Sequence, residues 1–283
     1  MATWKDADVR EDWAKIGARG PFVYGLTNYI AANLSANVLL AAGAGPAIGA
    51  ASDWTTTFPA GASAVWINTA ALMSSDEESL RAVARTAHQA GTPWVLDPVA
   101  VGAGAAGYDD FVRSLLEFRP AAIRGNASEL IALAGGAATG KGVETTVDSA
   151  EAVAAVSGFA ARIGTVVAVS GPVDYLTDGT RTVEVPGGDV RLTRVTGAGC
   201  ALGALTAAAI FATGDAFRGA VVAHAAYAEA AERAGARTRG TGSFAVALVD
   251  ELSLLAEAGT AASTAARSAT SNEAKDEAGN EAA

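Results

Sequence analysis

The sequence predicts an α/β protein with a mostly parallel central sheet and helices on both faces. Three observations carry that prediction. Short apolar, β-rich runs recur along the chain with helical patterns between them, and such alternation implies crossover connections and a parallel sheet. The runs are apolar at nearly every position instead of every second one, as strands covered on both faces must be. Glycine supplies 32 of the 283 residues, above the ordinary share of about 7%, as many tight turns between short elements require.

Taken in order, Phe22–Tyr24, Ala64–Ile67, Trp94–Leu96, Ala121–Ile123 and Thr165–Val169 read as buried strands. The clearest helix runs from Asp76 to Ala90. There Leu80, Val83, Ala84 and Ala87 share a face, Ser75 and Glu78 have capping-box spacing, and Gly91 supplies the stop. Tyr175–Thr177 and Arg181–Val185 flank Asp178-Gly179, a β-hairpin signal that adds an antiparallel piece to the sheet. Helices follow at Ala201–Ala212, Ala216–Gly235 and Ser243–Leu255. No linker divides residues 1–258, which read as a single domain. After Leu255 the last 28 residues hold five acidic and two basic groups and no large apolar side chain. The segment 259–283 therefore reads as a disordered, acidic, Ala-rich tail.

The net charge of −10 argues against a nucleic-acid partner, which needs clustered Lys and Arg. An anionic small molecule remains compatible, because helix N-termini and bound metals hold phosphate locally. Cys200 is the only cysteine; it rules out an internal disulfide and fits a reducing compartment. The start has no signal-type apolar stretch, and the run Ala198 to Ala212 is too short to span a bilayer. The expectation is a cytoplasmic protein without a membrane partner.

Two glycine-rich stretches imitate nucleotide motifs without their context. Gly43 to Gly49 follows a helical pattern, whereas a dinucleotide fingerprint follows a strand. Gly135 to Gly142 nearly matches a P-loop but ends Lys141-Gly142, without the hydroxyl for Mg2+, and it too follows a helix. Both read as loops. Thr196-Gly197-Ala198-Gly199-Cys200 leads directly into a helix of small residues. Free N–H groups and the dipole at such a start favour an anion, which suits a transferring phosphoryl group. The same run would also serve as a turn that lets an Ala-rich helix pack closely.

Asn126-Ala127-Ser128-Glu129 has the spacing of a capped helix start, and its carboxylate is also placed to orient Mg2+ waters. Asp97 follows the run Trp94–Leu96, at the strand end where ligands bind in open α/β sheets; its other reading is a loop Asp in a turn. Arg124, also at a strand end, either meets phosphate or pairs on the surface. Cys200 is either a small buried hydrophobe or a thiol whose pKa falls from about 8.5 towards neutrality at a helix N-terminus. His88 and His224 have no partner close in sequence and read as structural or exposed.

In order along the chain, six blocks resemble the hydroxyethylthiazole kinase family. They are Leu26-Thr27-Asn28-Tyr29 with Asn33, Asn37-Val38-Leu39-Leu40 and Gly43-Ala44; Trp94-Val95-Leu96-Asp97-Pro98-Val99; Arg124-Gly125-Asn126-Ala127-Ser128-Glu129; Lys141-Gly142-Val143; Val169-Ser170-Gly171; and Val195-Thr196-Gly197-Ala198-Gly199-Cys200. The resemblance implies a ribokinase-like fold and a role in thiamine salvage, where ATP and Mg2+ phosphorylate the alcohol of 4-methyl-5-(2-hydroxyethyl)thiazole. It implies that Arg124 and Ser170 contact the ATP phosphates and that Asp97 and Glu129 orient Mg2+ and its waters. Gly197, Ala198, Gly199 and Cys200 would form the anion hole. Gly197 would also touch the thiazole, whose pocket Asn28 would line.

Family members are typically homotrimers with the thiazole site at the subunit boundary. Ile48 stands where the family commonly has a thiazole-contacting Met, and Tyr24-Gly25 replaces the usual His-Cys. Cys200 stands where related sugar kinases place an Asp base. A loose transition state asks little of a base early on, so Cys200 is expected to position or assist the alcohol without being indispensable. The rival readings are a ribokinase-like kinase of a pyrimidine or sugar alcohol, and a non-catalytic nucleotide-binding module on the same fold.

Overall fold

A computed structural model describes residues 1–51, 53–136 and 149–259. Its strands are β1 (Phe22–Leu26), β2 (Gly45–Ile48), β3 (Ala64–Asn68), β4 (Trp94–Asp97), β5 (Ala122–Asn126), β6 (Val166–Ser170), β7 (Val173–Thr177) and β8 (Thr182–Pro186). They form one sheet in the order β2-β1-β3-β4-β5-β6-β7-β8. Every neighbouring pair from β2 to β6 is parallel, and the expected hairpin adds β7 and β8 antiparallel at one edge. The chain leaves β1 for β2 on one side and then returns to β3 on the other. That reversal opens a crevice at the carboxyl ends of β1 and β3.

Alternation along each strand divides the core. From β3, Ala64 and Trp66 face one layer, while Val65 and Ile67 face the other. The first layer holds α1 (Ala7–Arg19), α2 (Tyr29–Ala41), α8 (Ala198–Thr213), α9 (Ala216–Arg237) and α10, residues 241–259. The second holds α3 (Trp54–Gly61), α4 (Glu77–Ala90), α5 (Ala106–Ser114), α6 (Ala127–Leu133) and α7 (Ser149–Ile163). Helix α8 is apolar all round and buried along nearly its whole length. Its Ala and Gly residues let it lie between the sheet and α1, α2 and α9.

Several expectations are corrected. The N-cap of α4 is Asp76, whose carboxylate accepts the Ser79 amide at 2.7 Å, so Ser75 and Glu78 form no capping box. Gly43 to Gly49 is not wholly a loop, because Gly45–Ile48 forms edge strand β2. Pro46 is tolerated at a sheet edge, where one side needs no amide donor. Helix α8 begins at Ala198 instead of Ala201, which places Ala198, Gly199 and Cys200 inside its first turn. Lys141-Gly142-Val143, most of the near-P-loop and the tail from residue 260 lie outside the described residues.

Candidate active site

The register of the sheet assembles the site. Asn68 ends β3 opposite Asp97, the last residue of β4. Asn126 ends β5 opposite Ser170, the last residue of β6. The carboxyl edge thus carries Asn68, Asp97, Asn126 and Ser170, with Arg124 two residues inside β5. Asp97 is buried at a strand end, not a turn residue in a loop.

The N-terminus of α8 faces that edge. Gly197 caps it with φ 84°, and a Cβ there would come within 3.1 Å of the Ala31 Cα in α2. Both the left-handed backbone and the close approach demand glycine. The Ala198 amide donates to the Val195 carbonyl at 3.1 Å. Gly199 and Cys200 follow in the first turn, where amides have no carbonyl within the helix to reach. Gly199 lies against the Arg124 guanidinium: a Cβ would stand 3.1 Å from Nη1 and 3.3 Å from Nη2.

Arg124 is held inside the fold and does not pair on the surface. Its Nη2 donates to Ser170 Oγ at 3.0 Å, its Nη1 stands 3.8 Å from Asp97 Oδ2, and its buried Nε has no partner among the described residues. Burial works against the guanidinium charge, but Asp97, Asp174, Cys200 and Glu129 more than offset it and raise the pKa. For Asp97 the balance falls the other way. Burial, helped by the Glu129 charge, pushes its carboxyl up to about 7 despite Arg124 and a hydrogen bond from Asn68. That bond runs from Asn68 Nδ2 to Asp97 Oδ2 at 3.2 Å.

Glu129 fulfils the expected capping role. Asn126 Oδ1 accepts its amide at 3.0 Å while Glu129 Oε2 accepts the Asn126 amide at 2.9 Å. Its Oε1 accepts the amide of Ala100 at 2.8 Å, a non-glycine residue held at φ 63° just beyond Asp97. The carboxylate therefore also fixes the strained turn after β4. Burial raises its pKa, although the Ala100 and Asn126 amides and Arg124 oppose the shift.

Of the two readings of Cys200, the burial of its thiol favours the small buried side chain over the acidic one. Burial, with the charge of Asp97 adding to it, pushes the thiol up to about 12; Arg124 and a hydrogen bond from Asn68 only partly oppose this. Desolvation outweighs the dipole at the helix start. Asn68, absent from the sequence reading, thus reaches both Asp97 and Cys200. The available signal was that it closes the apolar run Ala64–Ile67 as Asp97 closes Trp94–Leu96.

Asn28 is the N-cap of α2, its Oδ1 accepting the Ala31 amide at 2.8 Å. Ala31 is also the residue that Gly197 approaches. Ile48 ends β2 in register with Gly25 of β1. Asn28, Ile48 and Gly197 are therefore all carried by elements at the β1 end of the crevice. Two further buried polar atoms there, Thr27 Oγ1 and Trp66 Nε1, lack partners among the described residues. His224 is buried and meets Asp174, 50 residues away in the chain; His88 lies in the last turn of α4.

Comparison with known proteins places the chain in a family. The model of the "HK: Hydroxyethylthiazole kinase family" matches residues 13–258. The chain belongs to the hydroxyethylthiazole kinase family. A hydroxyethylthiazole kinase from Burkholderia thailandensis is 66% identical over 252 residues, covering 89% of this chain and 96% of the relative. The solved hydroxyethylthiazole kinase structure from Pyrococcus horikoshii superposes with a TM-score of 0.74 at 32% identity, over 87% of this chain and 92% of that one. A ribokinase-like superfamily protein from Enterococcus faecalis, 11% identical, shares the fold with a TM-score of 0.59 over 89% of this chain and 95% of that one. The ribokinase-like α/β fold expected from the sequence is the fold observed.

Proposed function

We propose that this member of the family transfers the γ-phosphoryl group of ATP to the hydroxyethyl group of 4-methyl-5-(2-hydroxyethyl)thiazole, with Mg2+, in thiamine salvage. The observation that carries the reading is the close approach of the first turn of α8, at Gly199, to the buried Arg124 guanidinium. A phosphate bound beside this contact would draw on the guanidinium and the first-turn amides of α8 together. The Nε of Arg124, without a partner among the described residues, is a buried donor that a phosphate oxygen would satisfy.

In this reading Arg124 and Ser170 hold the ATP phosphates, while Gly197, Ala198, Gly199 and Cys200 frame the transferring group. Asp97 and Glu129 supply hard oxygen donors. Among the described residues no cluster of three or more His, Cys, Asp or Glu side chains forms a metal cage. Two carboxylates suit Mg2+, which keeps several waters and completes its shell with phosphate oxygens. When bound, Mg2+ neutralises charge on the phosphates. Asn28, Ile48 and Gly197 border the thiazole, whose hydroxyl attacks the γ-phosphorus as the bond to ADP breaks. A thiol protonated at neutral pH suits Cys200 to orienting that hydroxyl, not to acting as a thiolate base.

We further propose a homotrimer with sites at the subunit boundaries. Tyr29 and Ile30, directly after Asn28, are 69% and 49% exposed, apolar side chains that a second copy would cover. The reading places residues 1–258 in the cytoplasm as a single working domain. Among the described residues no helix is long and apolar enough to cross a membrane.

The test of the metal assignment is Glu129→Gln. It keeps the size of the side chain but sets an NH2 group against one of the two backbone amides Glu129 accepts, so the melting temperature falls modestly while turnover drops about a hundredfold. Unchanged turnover returns Glu129 to helix capping alone.

A further inference from the structure

We propose that His224 and Tyr227 are positioning residues that hold the two walls of the phosphate cradle from behind. The proposal rests on the reading that Arg124 and the start of α8 hold the ATP phosphates together. Both residues stand on α9, three positions apart and so on one face of the helix.

His224 is fully buried, its Nδ1 is 2.6 Å from Asp174 Oδ2, and its Nε2 has no partner among the described residues. Asp174, in β7, accepts the Gly171 amide through its other oxygen at 2.9 Å. This fixes the turn that carries Ser170, the acceptor for Arg124. Asp174 also contributes to the charge that favours the Arg124 guanidinium. The Tyr227 hydroxyl donates to the buried Ala198 carbonyl at 2.8 Å, inside the first turn of α8. One face of α9 therefore reaches the Ser170–Arg124 wall through His224 and Asp174, and the Gly197–Cys200 wall through Tyr227.

A leucine would fill the place of His224 without leaving a buried nitrogen unpaired, a condition that costs stability. What a leucine cannot do is hold Asp174. Neither contact touches substrate; each sets the position of a group that does.

The deciding measurement is the affinity of the full chain for a non-hydrolysable ATP analogue with Mg2+, made beside a thermal melt. His224→Leu weakens analogue binding about tenfold, the scale of one hydrogen bond to a charged group. His224→Asn, whose amide nitrogen takes the place of Nδ1, recovers most of that loss. Tyr227→Phe weakens binding about fivefold, and it decides the question if His224→Leu does not fold. A lower melting temperature with unchanged analogue affinity in folded His224→Leu and Tyr227→Phe overturns the proposal. An equal loss in His224→Asn overturns the His224 arm. Because the readout is binding, a wild-type protein that binds the analogue but ignores thiazole contradicts only the choice of acceptor. A wild-type protein that does not bind it overturns the proposal together with the phosphate reading.

Discussion

Gly203 of α8 passes so close to Trp66 of β3 that a Cβ on it would stand 2.6 Å from the indole Nε1. Gly25 makes the same allowance from β1, where a Cβ would meet the Trp66 ring at 2.8 Å. A large indole is thus let into the sheet beneath the site by two residues without side chains. Gly25 lies within the Tyr24-Gly25 pair that departs from the family pattern, and the space taken by Trp66 accounts for glycine there. The Gly203 Cβ would also come within 3.0 Å of Asp97 Oδ2, so this packing bears directly on the site.

Gly203→Ala is accordingly expected to cost about 1–3 kcal/mol by overpacking and to lower turnover by displacing Asp97. Trp66→Leu in the same chain removes the obstacle and restores part of the lost stability. Urea denaturation of both single variants and the double variant checks this. Additive losses would show that Gly203 and Trp66 do not oppose each other.

Asn68 provides the second test. Asn68→Ala removes the donor to Asp97 and the contact with Cys200, leaving the Asp97 carboxylate less fixed. Turnover falls about tenfold while the KM for ATP changes less than kcat. A change in ATP KM alone would place Asn68 with the nucleotide phosphates instead of the transfer step.

Much of this site could be read from local sequence, because local rules set its residues. Asp97 follows an apolar run, Asn126 and Glu129 have capping spacing, and Gly197 precedes a helix. Strand-helix alternation gave the parallel sheet for the same reason. Strand β2 was hidden because four residues containing a proline carry no strand signal of their own. Trp66–Gly203, His224–Asp174 and Tyr227–Ala198 join residues far apart in the chain, and no local spacing announces such contacts. Local sequence leaves two readings of Cys200 open, because its pKa depends on burial, which only the packed fold determines.

Asp97 sets a pH dependence. Its carboxyl titrates at about 7 in the fold and near 3.9 in an unfolded chain. The folded state therefore holds the proton more tightly. The associated stability is present below about pH 4 and is lost as pH rises through 7. In Mg2+-free buffer the wild-type protein should lose stability relative to Asp97→Asn across that range. Parallel melting curves for the two proteins would contradict the raised value.

Cys200 should react slowly. With its thiol pushed up to about 12, alkylation by iodoacetamide at pH 8 is expected to run at least about a hundredfold slower than for a free cysteine. Cys200→Ser should lose less turnover than the roughly hundredfold that removal of a general base costs. Rapid alkylation would show an accessible thiolate and restore the base reading.

The most direct test is ADP release from ATP and Mg2+ with and without 4-methyl-5-(2-hydroxyethyl)thiazole, with a hydroxymethylpyrimidine and ribose as control acceptors. Turnover that depends on the thiazole is the predicted result. Folded protein that releases ADP only with another alcohol, or binds ATP and turns over none of them, would contradict the account.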